Sequence, residues 1–353
     1  MKKKILIVFG TRPEFIKLVP LIKEFEKNKR YFNVVLCSTG QHKEMLKSLL
    51  TFFNVIPKWE MNVMKENQSL SELSAIIFNK IDYILKEEKP DLVIVQGDTT
   101  TAFITALVAF YNKIKVAHVE AGLRTKTKYF PFPEELNRRI ISEIADFHFT
   151  PTDEAHNNLR HYDGQAFMVG NTGIDTVEWI RNKLDLKNVY NDVVLVTVHR
   201  RESFGKPLQN ICKAVKQLAK KNKTTQFFIP VHPNPNVKKT IYNMLNNIDN
   251  VKLMRSLNYN EIIRLISNVK YIITDSGGIQ EEAHSFKKHV FVLRNETERM
   301  EGVKVGFATL VGTETKNIVD VISKWRDKNN ITYNPYGDGR TSYRIVELLK
   351  EHI

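Results

Sequence analysis

Tyr271-Ile-Ile-Thr-Asp-Ser-Gly-Gly-Ile-Gln-Glu-Glu-Ala283 changes character twice within one short stretch. Tyr271 to Thr274 reads as a short buried strand. Ser276, Gly277 and Gly278 form a side-chain-poor turn. Gln280, Glu281, Glu282 and Ala283 favour a helix, which is expected to open at about Gly278. A strand, a Ser-Gly-Gly turn and a helix start together make an anion site. Glycines let an oxyanion approach backbone N–H groups, Ser276 adds a hydroxyl, and the helix start carries partial positive charge. Glu281 and Glu282 do not suit a bare phosphate; they suit a phosphate carrying a sugar, whose hydroxyls a carboxylate accepts. An ordinary strand-to-helix turn capped by Ser276 accounts for the stretch equally well.

Outward from this stretch the same unit repeats. Strand candidates run Ile5–Phe9, Val34–Cys37, Leu92–Val95, Val116–Val119, His148–Thr150 and Met168–Val169. They continue with Val193–Val198, Phe227–Val231, Val251–Met254, Tyr271–Thr274, Val290–Leu293 and Thr309–Val311. Each is short and apolar on both faces, as in parallel strands covered by helices. Amphipathic segments such as Phe15–Lys29, Leu70–Glu87, Thr100–Tyr111, Leu136–Ile144 and Leu208–Lys221 separate them. This alternation predicts doubly wound α/β sheets. The pattern restarts near Asn191, after a helical Thr176–Leu186 and a polar Lys187–Asp192. We therefore expect two Rossmann-like domains, 1–170 and 171–339, facing across a cleft. The amphipathic helix 340–353 follows and is a candidate to return onto the first domain. Ligands in such sheets sit beyond the carboxyl ends of the strands.

With 353 residues, 42% of them hydrophobic, the chain is long for one core and suits two domains. Lys plus Arg exceeds Asp plus Glu by 53 − 39 = 14, a balance that attracts anions. The basic runs Lys2–Lys4, Lys27–Arg30 and Lys220–Lys223 are short, and a lysine-rich solvated surface explains them; no nucleic-acid partner is expected. Cys37 and Cys212 form neither a disulfide framework nor a CxxC metal spacing. The apolar run after Met1-Lys-Lys-Lys4 is too short for a secretory core, and no run approaches a membrane span. A cytoplasmic protein without membrane partners is expected. No metal-ligand cluster, GxGxxG or GxxxxGK[ST] occurs, so neither metal nor dinucleotide cofactor is expected.

Charge gathers after nearly every strand. Thr11-Arg12-Pro13-Glu14 and Lys17 follow the first strand, and Gln96-Gly97-Asp98-Thr99 a later one. Beyond these lie His118-Val-Glu120-Ala-Gly-Leu-Arg124, Pro133-Glu134-Glu135 and Asn137-Arg138. The second half adds His199-Arg-Arg-Glu202, His232-Pro-Asn-Pro235, Arg294 and Thr297-Glu298-Arg299. Carboxylates opposite cations suit acid–base chemistry on an anionic substrate. Plainer readings stand beside each. Arg12 reads also as a solvated arginine, Asp98 as a helix N-cap, and Glu120 as a partner of Arg124. Glu134 reads also as a helix opener, His199 as a core histidine, and His232 as a turn residue.

Taken in order, these motifs resemble the non-hydrolysing UDP-N-acetylglucosamine 2-epimerases of bacterial polysaccharide pathways. The resemblance also includes Gly40-Gln41-His42 and Gly170-Asn-Thr-Gly-Ile-Asp175, and it covers nearly the whole chain. It implies a glycosyltransferase-B-like architecture and reversible C2 epimerisation of UDP-N-acetylglucosamine to UDP-N-acetylmannosamine. UDP would leave and re-add through a glycal intermediate, with no bound cofactor and a homodimeric enzyme. It assigns proton traffic to Asp98, Glu120 and Glu134, and places His199 near the leaving diphosphate. Arg12, Lys17 and the turn Ser276, Gly277, Gly278 would hold that diphosphate, and Glu282 the ribose. Gln41, His42, Glu135, Arg138 and His232 lie in segments associated with a second, regulatory substrate site. Phe15, His284, Met300 and the basic loop Lys126–Lys128 depart from the family pattern without removing an acid, base or phosphate contact. Alternatives are a hydrolysing relative releasing N-acetylmannosamine, an epimerase of a related UDP-acetamido sugar, a glycosyltransferase of the same architecture, and a nucleotide-sugar sensor.

Overall fold

Strand β1 (Lys3–Phe9) is buried from Ile5 to Phe9, so both faces of its sheet are covered. The computed structural model describes residues 2–41, 43–65, 67–129, 131–184, 186, 192–327 and 333–353, the side chains of 43–45 and 201 excepted. Strands β2 (Phe32–Ser38), β3 (Trp59–Glu60), β4 (Leu92–Gln96), β5 (Lys115–Val119), β6 (Phe147–Thr150) and β7 (Gln165–Met168) join β1 in a parallel sheet. Its order is β3-β2-β1-β4-β5-β6-β7. The second sheet comprises β8 (Val193–Thr197), β9 (Gln226–Pro230), β10 (Val251–Met254), β11 (Tyr271–Thr274), β12 (His289–Val292) and β13 (Ala308–Leu310). It too is parallel, with order β10-β9-β8-β11-β12-β13. Each sheet reverses its winding once, between β1 and β4 in the first and between β8 and β11 in the second. Such a switch point opens a crevice at the strand carboxyl ends, where ligands bind in this class of sheet.

The chain divides into two compact units, Met1–Thr176 with Tyr336–Ile353, and Val177–Pro335. The divisions fall after Thr176 and Pro335, where the sequence pattern placed them after 170 and 339. Local bonding gives the reason. Thr176 Oγ1 donates to the Ile16 carbonyl at 2.5 Å, and the Asn171 amide donates to the Tyr336 carbonyl at 2.9 Å. The expected restart at Asn191, and most of the polar Lys187–Asp192 segment before it, lie outside the described residues. Helix Thr341–His352 packs on helix Arg12–Lys27 within the first unit. Its N-terminal amides are capped from elsewhere in the chain: Asp175 accepts from Thr341 at 3.1 Å and from Ser342 at 2.6 Å. Burial pushes the Asp175 carboxyl above the usual range, and those amides only partly offset it. Asp175→Ala should cost about 1–3 kcal/mol, because it strands buried donors. Denaturant unfolding measures this, and an unchanged midpoint would show the cap to be idle.

Several expected boundaries move by one to three residues. The helix after the Ser-Gly-Gly turn spans Gly277–Glu282 and begins one residue before the expected Gly278. Strand β7 precedes most of the expected Met168–Val169. Strand β3 escaped the sequence pattern because a strand of 2 residues carries no alternation to detect. No helix among the described residues is long and apolar enough to cross a membrane.

Candidate active site

At the switch point of the first sheet, β1 runs into Gly10-Thr11-Arg12 and the helix Arg12–Lys27. Thr11 is the N-cap and forms a capping box with Glu14. The buried Glu14 carboxylate accepts from the Gly10 and Thr11 amides at 3.1 and 2.7 Å and from Thr99 Oγ1 at 2.7 Å. Burial raises its pKa and these bonds work against that rise. Glu14 therefore holds two loops together. Arg12 is left half-buried, with no ion-pair partner among the described residues.

Glu120 follows β5 in the left-handed region, at φ 65°. A non-glycine residue pays for that conformation only where its surroundings fix it. Here the Glu120 carboxylate accepts from Lys17 Nζ on one oxygen and Gln96 Nε2 on the other. The plainer pairing with Arg124 is not found. Arg124 instead donates to the Leu123 carbonyl and to Ser142 Oγ, and lies over the Tyr162 ring. Lys17, assigned to the diphosphate by resemblance, is engaged with this carboxylate. His118 supports the same turn: its buried Nε2 sits 2.7 Å from the Gly97 carbonyl, and burial drives its pKa down to about 3. A neutral ring that donates from Nε2 fits both facts.

Asp98 is not the N-cap of helix Thr100–Tyr111; Thr99 takes that place, accepting from the Ala102 amide at 3.0 Å. Asp98 instead meets Arg138, with Nη2 to Oδ2 at 2.5 Å, while Asn137 Nδ2 donates to the Asp98 carbonyl at 2.8 Å. Arg138 also reaches the fully buried Glu135 at 3.1 Å, and Arg139 meets the other Glu135 oxygen at 2.7 Å. Glu134 does open helix Glu134–Ile144, as its plainer reading held, and one of its oxygens is buried. Gln41 accepts from Thr101 at 3.1 Å. His42 lies outside the described residues.

The second sheet repeats the plan at its own switch point. β8 ends in Thr197, whose hydroxyl meets that of Thr274 on β11 at 2.5 Å. His199 follows with its side chain 41% exposed, which removes the core-histidine reading. Its Nδ1 lies 3.2 Å from Oδ1 of Asp275, a fully buried carboxylate, and its ring stacks on His232 at 6.0 Å between centroids. His232 Nδ1 accepts from the Asn234 amide at 3.2 Å, as a turn residue would.

Ser276 occupies the N-cap of the short helix, but its side chain makes no capping bond. The hydroxyl is thus not used in the way the plainer reading required. Gly277 is needed for close approach: a Cβ there would lie 2.7 Å from Arg299 Cζ. Arg299 is anchored over the turn by Glu281 at 2.7 Å and by Glu298. Glu298 also meets Arg294 at 3.0 Å and Arg200 at 4.0 Å. Burial opposes its ionisation, yet the guanidiniums of Arg299, Arg294 and Arg200 hold it well below the usual carboxylate range. The ion pairs place a dense band of arginines beside the glycine turn. Glu282 is buried and accepts from Tyr259 Oη at 3.0 Å.

Sequence reasoning thus named the loops but missed Gln96, Asp275 and Arg299 as individual contributors. Their roles arise from partners far along the chain, and only the clustering of polar residues after strands signalled them.

Comparisons with known proteins agree along the chain. The family model described as UDP-N-acetylglucosamine 2-epimerase matches residues 23–350. A UDP-N-acetylglucosamine 2-epimerase of Campylobacter jejuni is 44% identical, over 99% of this chain and 98% of its own length. The crystal structure of the Neisseria meningitidis UDP-GlcNAc 2-epimerase bound to UDP-GlcNAc superposes with a TM-score of 0.93 at 42% identity, covering 99% of this chain and 100% of that one. The Methanocaldococcus jannaschii UDP-GlcNAc 2-epimerase in complex with UDP-GlcNAc and UDP gives 0.85 at 34% identity, with 99% of each chain covered.

Proposed function

Because the chain belongs to the UDP-N-acetylglucosamine 2-epimerase family, we propose that it interconverts UDP-N-acetylglucosamine and UDP-N-acetylmannosamine without hydrolysing either. The observation that carries the reading is the Glu120 carboxylate, held between Lys17 and Gln96 at the switch point of the first sheet. In the forward direction the C2 proton goes to an enzyme base while the bond from C1 to the UDP oxygen breaks. The products of that step are a 2-acetamidoglucal and UDP. Re-addition of UDP at C1 with proton delivery to the opposite face of C2 gives the epimer. Removal and return on opposite faces require at least two groups, and Asp98, Glu120 and Glu134 are the carboxylates offered. The UDP leaving group gains charge as it departs. Cations and backbone amides stabilise such charge. Arg12, His199, the turn Ser276 to Gly278 and the band that includes Arg299 are suited to that work. Glu282 is suited to the ribose hydroxyls.

The reaction is tested in deuterated water with UDP-N-acetylglucosamine, followed by proton NMR. Deuterium at C2 of a nucleotide-linked product is expected. Product with C2 fully protonated overturns elimination and re-addition. Free N-acetylmannosamine with stoichiometric UDP identifies the hydrolysing reaction instead.

The glycine turn has its own test. Gly277→Val forces the Arg299 guanidinium away from Glu281 and Glu298, since all of them are anchored. Losing one charge-assisted contact of about 1.5–3 kcal/mol weakens binding roughly 10–100-fold. Calorimetry with UDP measures it; unchanged affinity removes the turn from the site.

A further inference from the structure

We propose that Asp275 is a positioning residue for His199: it fixes the proton on Nδ1 of the imidazole and so leaves Nε2 as the nitrogen that faces chemistry. The proposal rests on the function proposed above only for its kinetic consequence. Asp275 follows β11, directly before the Ser-Gly-Gly turn, and is fully buried. Its carboxylate gathers one loop. The His199 amide donates to both oxygens at 3.1 Å, the Arg200 amide to Oδ2 at 3.0 Å, and Ser203 Oγ to Oδ2 at 2.8 Å. His199 Nδ1 lies 3.2 Å from Oδ1.

Chemistry limits how that last contact is made. An ionised carboxylate is acceptor-only, so the ring nitrogen facing it must donate. Burial favours the neutral acid, but the bonds from His199, Arg200 and Ser203 outweigh it and keep the carboxyl below its ordinary pKa. With Nδ1 committed, Nε2 alone is free to accept or pass a proton. The same carboxylate also fixes where the imidazole starts, through the backbone amide of His199 itself. Ring stacking on His232 restricts rotation from the other side. Buried carboxylates that orient a histidine in this manner can govern its tautomer, with large kinetic effect and little change in geometry.

The first measurement needs no variant. Protein labelled with 15N-histidine, with His199 assigned by loss of its signals in His199→Asn, is expected to show the proton on Nδ1. A neutral His199 protonated on Nε2 overturns the proposal, whether or not any variant folds. Next, Asp275→Asn keeps the shape but can turn an N–H₂ toward the ring. Its His199 proton is expected to move to Nε2, with kcat falling at least 100-fold and UDP affinity changing less than threefold. In the His199→Asn background the same substitution should cost less than threefold more. An unmoved tautomer, or effects of the two substitutions that multiply, overturns the proposal. Wild-type turnover by His199→Asn alone overturns the catalytic use of His199, while the spectra separately decide what Asp275 does to the ring.

Discussion

Glu120→Gln should lower kcat about 100–10,000-fold, the usual loss when a positioned acid or base is removed. Glutamine is the same size and still accepts on one oxygen, so the Lys17 or Gln96 contact can survive in part. What disappears is the ability to take a proton. UDP affinity and the fold are expected to be retained, while the melting temperature falls because the buried ion pair with Lys17 is lost. Asp98→Asn, Glu134→Gln and His199→Asn should fall by the same order, since opposite faces of C2 need more than one group. The rates are read by NMR from both epimers. A Glu120→Gln enzyme within tenfold of the unaltered rate would remove Glu120 from proton transfer, whatever became of the other carboxylates.

Arg138→Met should produce the largest loss of stability. Arg138 lies between Asp98 and Glu135, with only 6% of its side chain exposed, and Glu135 has none. Removing one partner of a buried ion pair costs about 3–5 kcal/mol, because the charge left behind is poorly hydrated and has lost a counterion. Arg139 keeps one Glu135 oxygen and moderates the loss. For a unit of this size the melting temperature should fall by roughly 6–20 °C. Adding Glu135→Gln to Arg138→Met should recover part of the loss, because the buried carboxylate that Arg139 neutralises only in part is then gone. A single variant that melts within about 1 °C of the unaltered protein would show the pair to be well solvated. The outcome also bears on the second-site reading of Glu135 and Arg138. A large loss of stability means that these residues support the Asp98 loop whether or not they meet a second substrate.

The architecture was legible because parallel strands covered on both faces leave continuous apolar runs, and Ile5–Phe9 and Val193–Thr197 are such runs. The loops of the candidate site were legible for a related reason: polar residues gather where covered strands end. Individual partners were not. Lys17 meets Glu120 across 103 residues, and Asp275 meets the His199 loop across 72 to 76. No local pattern encodes such pairs. Thr11-Arg-Pro-Glu14 was a different case. Its capping box is a visible local signature that sequence reasoning left unread, and the Glu14 carboxylate is buried against Gly10, Thr11 and Thr99. The left-handed backbone of Glu120 was equally hidden, since nothing in its neighbours requires it.

The second unit, Val177–Pro335, is contiguous in sequence, whereas the first waits for its last helix, anchored by Asp175. During synthesis the leading unit therefore cannot finish first, as a leading domain customarily does. At ordinary elongation speeds roughly 8–30 s separate Thr176 from Tyr336 on the ribosome. Most of the inserted unit is synthesised in that interval. The leading unit must meanwhile persist with the helix Arg12–Lys27 uncovered on the side that Thr341–His352 will occupy. A chain ending before residue 336 would therefore leave the leading unit unfinished, a state that chaperones and proteases can recognise by its bare apolar helix face.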